Sequence, residues 1–407
     1  VAVTAAGAAR AARVAAWHLR TGGRAQLRRH LRRRRLAAGR GAGGPGGARV
    51  RFVATCPAGA AELPVLGALR SAVPRSALAP FDSRWDPASP PTLVVDLSGT
   101  VPGDPLPDDV LRSIASRVPV LTTAGSAAAT RFGPQELARG SGTDEMLLLT
   151  RALLGSVELR DRLAHRARRR LLRDAPGAAL PSVSVLVATR RPALAARVLR
   201  TVAQQAGVRA QVVVLAHGVD LDEVALRARA RALGLDEPVL LRADADVPLG
   251  TCLDRLVAVA DGEVVAKIDD DDRYGPHYLA DQLDALRSSG ADVVGKRAHH
   301  VHLRGPDATV LRFAGEEHGW ADLVAGPTLV ARRAVVAEVG FPPLPTGEDT
   351  AFLRRVAAAG GRVWASDRFG FVRVRSGAGH AWSVSDAELL AGGDLRWFGT
   401  PDRHVFV

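Results

Sequence analysis

Four consecutive carboxylates, Asp269 to Asp272, follow the largely apolar residues 263–268 and precede Arg273-Tyr274-Gly275-Pro276. A solvated acidic run normally sits among polar residues. This one stands where a β-branched segment stops, so strand pairing would fix where the carboxylates point. Gathering four negative charges on folding is costly unless a cation offsets them. Hard divalent cations take oxygen ligands, and Mg²⁺ binds through one or two carboxylates plus substrate phosphates. Side chains alternate along an extended chain, so Asp269 and Asp271 share a face while Asp270 points away. The run reads as an Asp-x-Asp clamp for Mg²⁺ or Mn²⁺ and a diphosphate. Asp272 is also placed to cap a helix expected over 274–286.

Two other groupings could do chemistry. Gly347-Glu348-Asp349 opens a helix expected over 350–359, where carboxylates suit the helix terminus whatever else they do. His299, His300 and His302 could set two imidazoles on one strand face, which invites a zinc reading. No fourth ligand is nearby, and Lys296, Arg297 and Arg304 would repel a cation. The segment is therefore expected to be an exposed or ligand-facing strand. The resemblance given below implies that His318 and Trp320 line the acceptor side, with Trp320 and Trp382 able to stack on flat ring faces.

These residues need a frame, and the pattern supplies one. Strands are expected at 50–55, 93–96 and 118–122, a helix at 108–117, and a long helical region over 143–173 broken near Gly155. After a linker at 175–181 the alternation restarts: strands at 183–188, 211–215, 239–241 and 264–268, with helices at 193–205, 222–233 and 250–260 between them. Such alternation implies a parallel sheet. The aspartates then lie at the carboxyl end of a central strand, the edge at which open α/β sheets bind ligands.

Composition bounds the rest. The 407 residues are 47% hydrophobic, enough for two or three domains with sizeable cores. Cys56 and Cys252 stand far apart, which argues against a disulfide framework or a structural zinc site and suits a reducing compartment. No apolar run reaches transmembrane length and no signal-peptide pattern opens the chain, so a cytoplasmic location is expected. The chain begins with Val1 rather than Met, so a preceding segment is expected. The net charge of +13 is carried by residues 1–51, which hold thirteen arginines and no acid. Residues 1–48 are read as a basic arm ending in a Gly-rich linker. The arm could meet an anionic membrane surface on the inner face of the cell membrane, or RNA. Few aromatics interleave the arginines, so nucleic acid is not the expected partner. All but two of the 55 basic residues are arginine, the exceptions being Lys267 and Lys296, which with the abundant Ala and Gly suggests the bias of a GC-rich genome.

Several segments, taken in order, carry a resemblance. They are VSVLVATRRPALAARVLRTVAQQ, PLGTCLDRLVAVADGEVVAKIDDDDRYGPHYL, GPTLVARRAVVAEVGF and GEDTAFLRRV. Across residues 181–390 they resemble family 2 glycosyltransferases of the GT-A fold: first strand, nucleotide loop and helix, then the DxD strand, the acceptor-side strand and the Glu-Asp helix start. The resemblance implies an inverting, hexosyltransferase-type reaction from a nucleoside diphosphate sugar to a hydroxyl of a glycan or lipid-linked acceptor, in cell-envelope biogenesis. It implies Asp271 as main metal ligand, Asp269 on the ribose or metal, Asp270 with the donor, and His380 against the metal or diphosphate. Asp349, with Glu348 beside it, becomes the general base. Thr189, Arg190 and Arg191 become the base and ribose loop, with Asp220 or Asp222 as a further contact and Asp244 and Asp246 as candidates for the same pocket. The turn at 216–220 reads Ala-His-Gly-Val-Asp where the family has an Asn-Asp-Gly-Ser-like turn, so a carboxylate for the base is missing or displaced.

Residues 49–175 more weakly resemble the C-terminal Rossmann-like half of a GT-B glycosyltransferase, through VPVLTTAGS and GTDEMLLLTRALLGSVELRDRLAHRARRRLLRD. That implies a degenerate Rossmann-like domain for docking or acceptor positioning, with Asp96, Ser98 and Gly99 as remnants of a site. The expected fold class is thus α/β: a small Rossmann-like domain at 49–175 before a GT-A nucleotide-diphospho-sugar transferase domain at 181–407. Two alternatives stay open. One is a nucleotidyl or phosphoryl transferase using the same acidic clamp, although no P-loop is present. The other is a non-enzymatic nucleic-acid or membrane-surface binding protein acting through the basic arm.

Overall fold

The structure, a computed structural model, describes residues 49–53, 64–73, 78–80, 90–175, 179–376 and 384–407. The basic arm, Cys56, His380 and Trp382 lie outside the described residues. The chain divides into two compact units, the boundary falling between residues 178 and 179. Both are α/β with parallel strands, as the alternation implies.

In the first unit, β1 (Val50–Val53), β2 (Leu78–Pro80), β3 (Leu93–Asp96), β4 (Val120–Thr123) and β5 (Ala138–Gly140) form one sheet in the order β2-β1-β3-β4-β5. Every neighbouring pair is parallel. The helices are α1 (Pro64–Ala72), α2 (Asp108–Ala115), α3 (Ala127–Arg131), α4 (Thr143–Gly155) and α5 (Val157–Asp174). The break expected near Gly155 falls at Ser156, whose hydroxyl accepts from Leu159 N at 3.2 Å and starts the next helix. Asp96 is buried and accepts from Ser98 N at 3.1 Å and Thr122 Oγ1 at 2.9 Å. Its carboxylate ties β3 to β4, which accounts for it without any ligand.

The second unit holds an eight-stranded sheet in the order β14-β16-β11-β15-β9-β6-β7-β8. Its strands are β6 (Val183–Thr189), β7 (Ala210–His217), β8 (Val239–Ala243), β9 (Val264–Lys267), β11 (Val293–Gly295), β14 (Gly319–Trp320), β15 (Val330–Arg332) and β16 (Val363–Ala365). Strands β9, β6, β7 and β8 run parallel, and β15 enters antiparallel between β9 and β11. Helices α6 (Pro192–Ala203), α7 (Glu223–Ala232), α8 (Leu249–Ala258), α9 (Tyr278–Ser289), α10 (Arg333–Val339) and α11 (Glu348–Ala358) accompany it. Val185, Val187, Val212 and Val214 join one core with Leu199 and Leu283, whereas Leu186, Val213, Leu215 and Val265 join another with Leu256 and Phe352. Both faces are covered, which is why these strands read as nearly unbroken apolar runs.

A second sheet, in the order β10-β17-β12-β13-β18, is built from β10 (Arg273–Tyr274), β12 (His299–Leu303), β13 (Ala308–Arg312), β17 (Phe371–Arg375) and β18 (Asp394–Phe398). Short helices α12 (Asp386–Gly392) and α13 (Asp402–Val405) complete the chain. This sheet corrects two expectations. The helix expected from residue 274 begins at Tyr278, because Arg273 and Tyr274 pair with Val372 and Phe371 as a strand. The histidine segment is not exposed: β12 lies between β17 and β13, and His299, His300 and His302 are all buried. Burial pushes the His299 and His300 imidazoles far toward the neutral form, His300 to about 3. Among the described residues, no helix is long and apolar enough to cross a membrane.

Candidate active site

Strand β9 lies inside the main sheet between β15 and β6, and the acidic run leaves its carboxyl end. Carboxylate oxygens of Asp269, Asp271 and Asp272 lie within 4.8 Å of one another. Asp270 turns away, accepting a short hydrogen bond from Thr189 Oγ1 and pairing with Arg191 at 2.6 Å. The same guanidinium reaches Asp271 at 2.7 Å. Asp272 caps no helix. Its Oδ1 accepts from Val374 N at 2.9 Å, so the carboxylate pins β17 beside the run. The buried Tyr274 hydroxyl accepts from Asp269 N at 3.0 Å and donates to Pro327 O at 2.9 Å, fixing the backbone where the carboxylates turn.

Asp349 arrives from the first turn of α11, after Gly347 in the left-handed conformation at φ +80°. Gly347 has no side chain with which to cap this helix. Instead Asp349 Oδ2 accepts from Lys267 Nζ at 3.3 Å, and the same ammonium donates to Asp269 Oδ1 at 2.9 Å. Asp349 Oδ1 is buried with no hydrogen-bond partner. Gly326 makes room for this carboxylate: a Cβ there would lie 1.7 Å from Asp349 Oδ2.

Charge balance follows from burial and neighbours. Burial works to raise the Asp269 carboxyl, but the Lys267 ammonium, helped by Arg373 and Arg191, outweighs it and holds the group below the usual range. At Asp349 burial prevails over Lys267, with Asp269 adding to it, and the carboxyl is raised. Burial and then Asp349 push Glu348 up to about 7. Lys267 is itself buried, yet Asp269, Asp349 and Glu348 more than offset its desolvation and keep it charged. Arg373 on β17 adds a second cation whose field lowers Asp269, Asp272 and Asp349. The donor set, three carboxylates converging at a strand end, fits a hard divalent cation. Asp269 and Asp271 would hold it.

The nucleotide-side residues divide. Thr189 and Arg191 join the acidic run, as above. Arg190 instead packs on the His217 ring, with Nε 3.3 Å from Nδ1 and a terminal nitrogen 3.0 Å from Nε2, and donates to Ala245 O at 3.0 Å. Asp220 is exposed and paired with Arg242 at 2.7 Å. Asp222 caps α7, accepting from Ala225 N at 2.9 Å, and Asp244 and Asp246 are exposed. Trp320 stacks edge-on against Trp364 at 5.0 Å with Arg362 over its ring. Lys267, Tyr274, Gly326 and Arg373 are the residues that sequence reasoning missed. Lys267 alone carried a usable signal, as a lysine in a chain of arginines set inside an apolar strand.

No protein-family model and no curated protein matches the chain. Similar solved structures include S. aureus TarS 1–349, at 17% identity over 47% of this chain and 60% of that one, with a TM-score of 0.38. The same TarS fragment in complex with UDP-GlcNAc is 18% identical over 50% and 61% of the two chains, and its complex with UDP is 18% identical over 48% and 61%, each with a TM-score of 0.38. The chain spans less than two thirds of each of these chains.

Proposed function

We propose that the second unit is an inverting, metal-dependent glycosyltransferase of the GT-A, family 2 type. In this reading a sugar moves from a nucleoside diphosphate sugar to a hydroxyl of a glycan or lipid-linked acceptor. The observation that carries it is the joining of two chemistries by one cation: Lys267 links the carboxylate cluster at the end of β9 to Asp349, which keeps one buried oxygen unpartnered.

A sugar hydroxyl is a weak nucleophile near neutral pH, so a positioned base lowers the barrier. Asp349 Oδ1 takes the hydroxyl proton as the acceptor oxygen forms a bond to the anomeric carbon and the nucleoside diphosphate departs. The raised affinity of Asp349 for a proton suits that task, and Lys267 keeps the carboxylate oriented through Oδ2. When bound by Asp269 and Asp271, Mg²⁺ or Mn²⁺ would offset charge on the diphosphate. Thr189 and Arg191 face the donor side of the run. Arg190, held by His217, fits a role in shaping the base pocket.

The test is product analysis with a panel of nucleoside diphosphate sugars, UDP-GlcNAc among them, and hydroxyl acceptors or water. Glycosyl transfer releases nucleoside diphosphate and is lost in Asp349→Asn. Release of a sugar 1-phosphate or of a nucleoside monophosphate would instead indicate nucleotidyl or phosphoryl transfer.

A further inference from the structure

Beside the carboxylates, the second sheet gathers positive charge on one face. Register places His299 opposite Arg312 and Val301 opposite Arg373, so His299, Arg312 and Arg373 project to the same side. Arg297 and Arg312 both lie on the Phe313 ring, their guanidinium carbons 3.7 and 4.6 Å from its centroid. Phe313 holds φ +51°, a strained conformation for a bulky residue that persists where surroundings impose it. All three arginines are partly exposed, and Glu316 pairs with Arg297 at 3.0 Å. Arg373 links this group to the candidate active site, because its neighbour Val374 N is held by Asp272 and its charge acts on Asp269 and Asp349 as well as on Arg312.

A buried atom points independently to a ligand. His299 Nδ1 lies 3.0 Å from Arg297 O, and a carbonyl only accepts, so Nδ1 carries the proton. Nε2 is then an acceptor, fully buried and without a partner, on a residue that is 3% exposed.

We propose that Arg297, Arg312 and Arg373 form a subsite for a phosphate ester of the acceptor, with His299 Nε2 receiving a hydroxyl next to it. Guanidinium forks match phosphate oxygens in pairs and in geometry. Bringing three of them together is costly, and burial followed by Arg297 and Arg373 pulls Arg312 down to about 9. An anion reverses that cost. Arg373 acts on Asp349, whereas Arg191, at the start of α6, is already taken up by Asp270 and Asp271, so the acceptor rather than the donor is assigned to the cluster. That assignment rests on the glycosyltransferase reading; the anion site itself does not.

The test is thermal melting of the full chain with Mg²⁺ present and inorganic phosphate against chloride at matched ionic strength, without and with saturating UDP, in wild type, Arg312→Met and Arg297→Met. The expected result is stabilisation by phosphate that persists with UDP bound and weakens about ten- to a hundredfold in apparent affinity in either variant. Using two variants guards against one that fails to fold. Absence of stabilisation beyond chloride overturns the site, as does a response that both variants keep. A response abolished by UDP overturns the acceptor assignment, because the phosphate then sits where a donor diphosphate would. If no nucleoside diphosphate stabilises the protein in the presence of Mg²⁺ while the phosphate response is present and lost in the variants, the anion site stands and the glycosyltransferase reading falls.

Discussion

Lys267 and Asp349 are 82 residues apart in sequence, and the Nζ of one lies 3.3 Å from Oδ2 of the other. The same ammonium holds Asp269 at 2.9 Å, so a strand end and a helix start are locked together through a single charge. Lysine suits that position better than arginine does. A compact ammonium can sit between two carboxylates converging from different elements, whereas a planar fork needs room on one side. Lys296, the other lysine of the chain, is likewise buried and paired, with Asp367 at 3.1 Å. Both lysines of this arginine-rich chain are thus interior counter-ions.

Replacing Lys267 with Met should destabilise the protein by about 2–4 kcal/mol near neutral pH, because it leaves buried carboxylates without their cation. Asp269 is held below the usual carboxylate range, so this stabilisation is present above the ordinary value and lost as pH falls through the lower, folded one. The gap between wild type and variant in denaturant melts should therefore close in acid. A gap that stays constant down to pH of about 3 would mean that packing, not charge, sets the cost.

Gly326→Ala should disable the site while sparing the fold. The added methyl collides with the Asp349 carboxylate at 1.7 Å, so the base must move. Transfer should fall by about 10²–10⁴-fold, comparable to Asp349→Asn, with nucleotide affinity nearly unchanged. Equal losses of turnover and nucleotide binding would show that the turn at Gly326–Thr328 supports the donor instead.

Glu348 gives a pH signature. Its folded value of about 7 lies above its ordinary 4.5, so the folded state binds the proton more tightly. That contribution is whole below the ordinary value and is lost as pH rises through about 7. In the presence of EDTA, Glu348→Gln should gain on wild type between about pH 5 and 8, by at most about 3 kcal/mol. Parallel stability curves for the two proteins would show that Glu348 titrates normally.

Much of this was legible because it is local. The apolar runs of β6, β7 and β9, the helix break near Gly155 and the acidic run at a strand end all follow from residues near in sequence. What was hidden depends on distant pairing. Arg273 and Tyr274 look like a helix start until Val372 and Phe371 arrive to make them a strand. The pattern His-His-Val-His-Leu gives no hint that β12 is buried, since that requires β17 and β13 along its two edges and the Trp397–His404 stack near His300. Asp220 and Asp222 carry the right chemistry but are taken by Arg242 and by the start of α7. Lys267 was visible as an oddity of composition, although its meaning lay in Asp349.

The most direct measurement is thermal stabilisation by nucleoside diphosphate sugars with Mn²⁺ and then with EDTA, comparing wild type with Asp271→Ala. A ligand that binds only the folded state must raise its melting temperature. The account predicts a shift for one nucleotide class that needs the metal and disappears in the variant, because Asp271 would then lose both the cation and the diphosphate it holds. A shift that survives EDTA and Asp271→Ala, or none with any donor in folded protein, would contradict it.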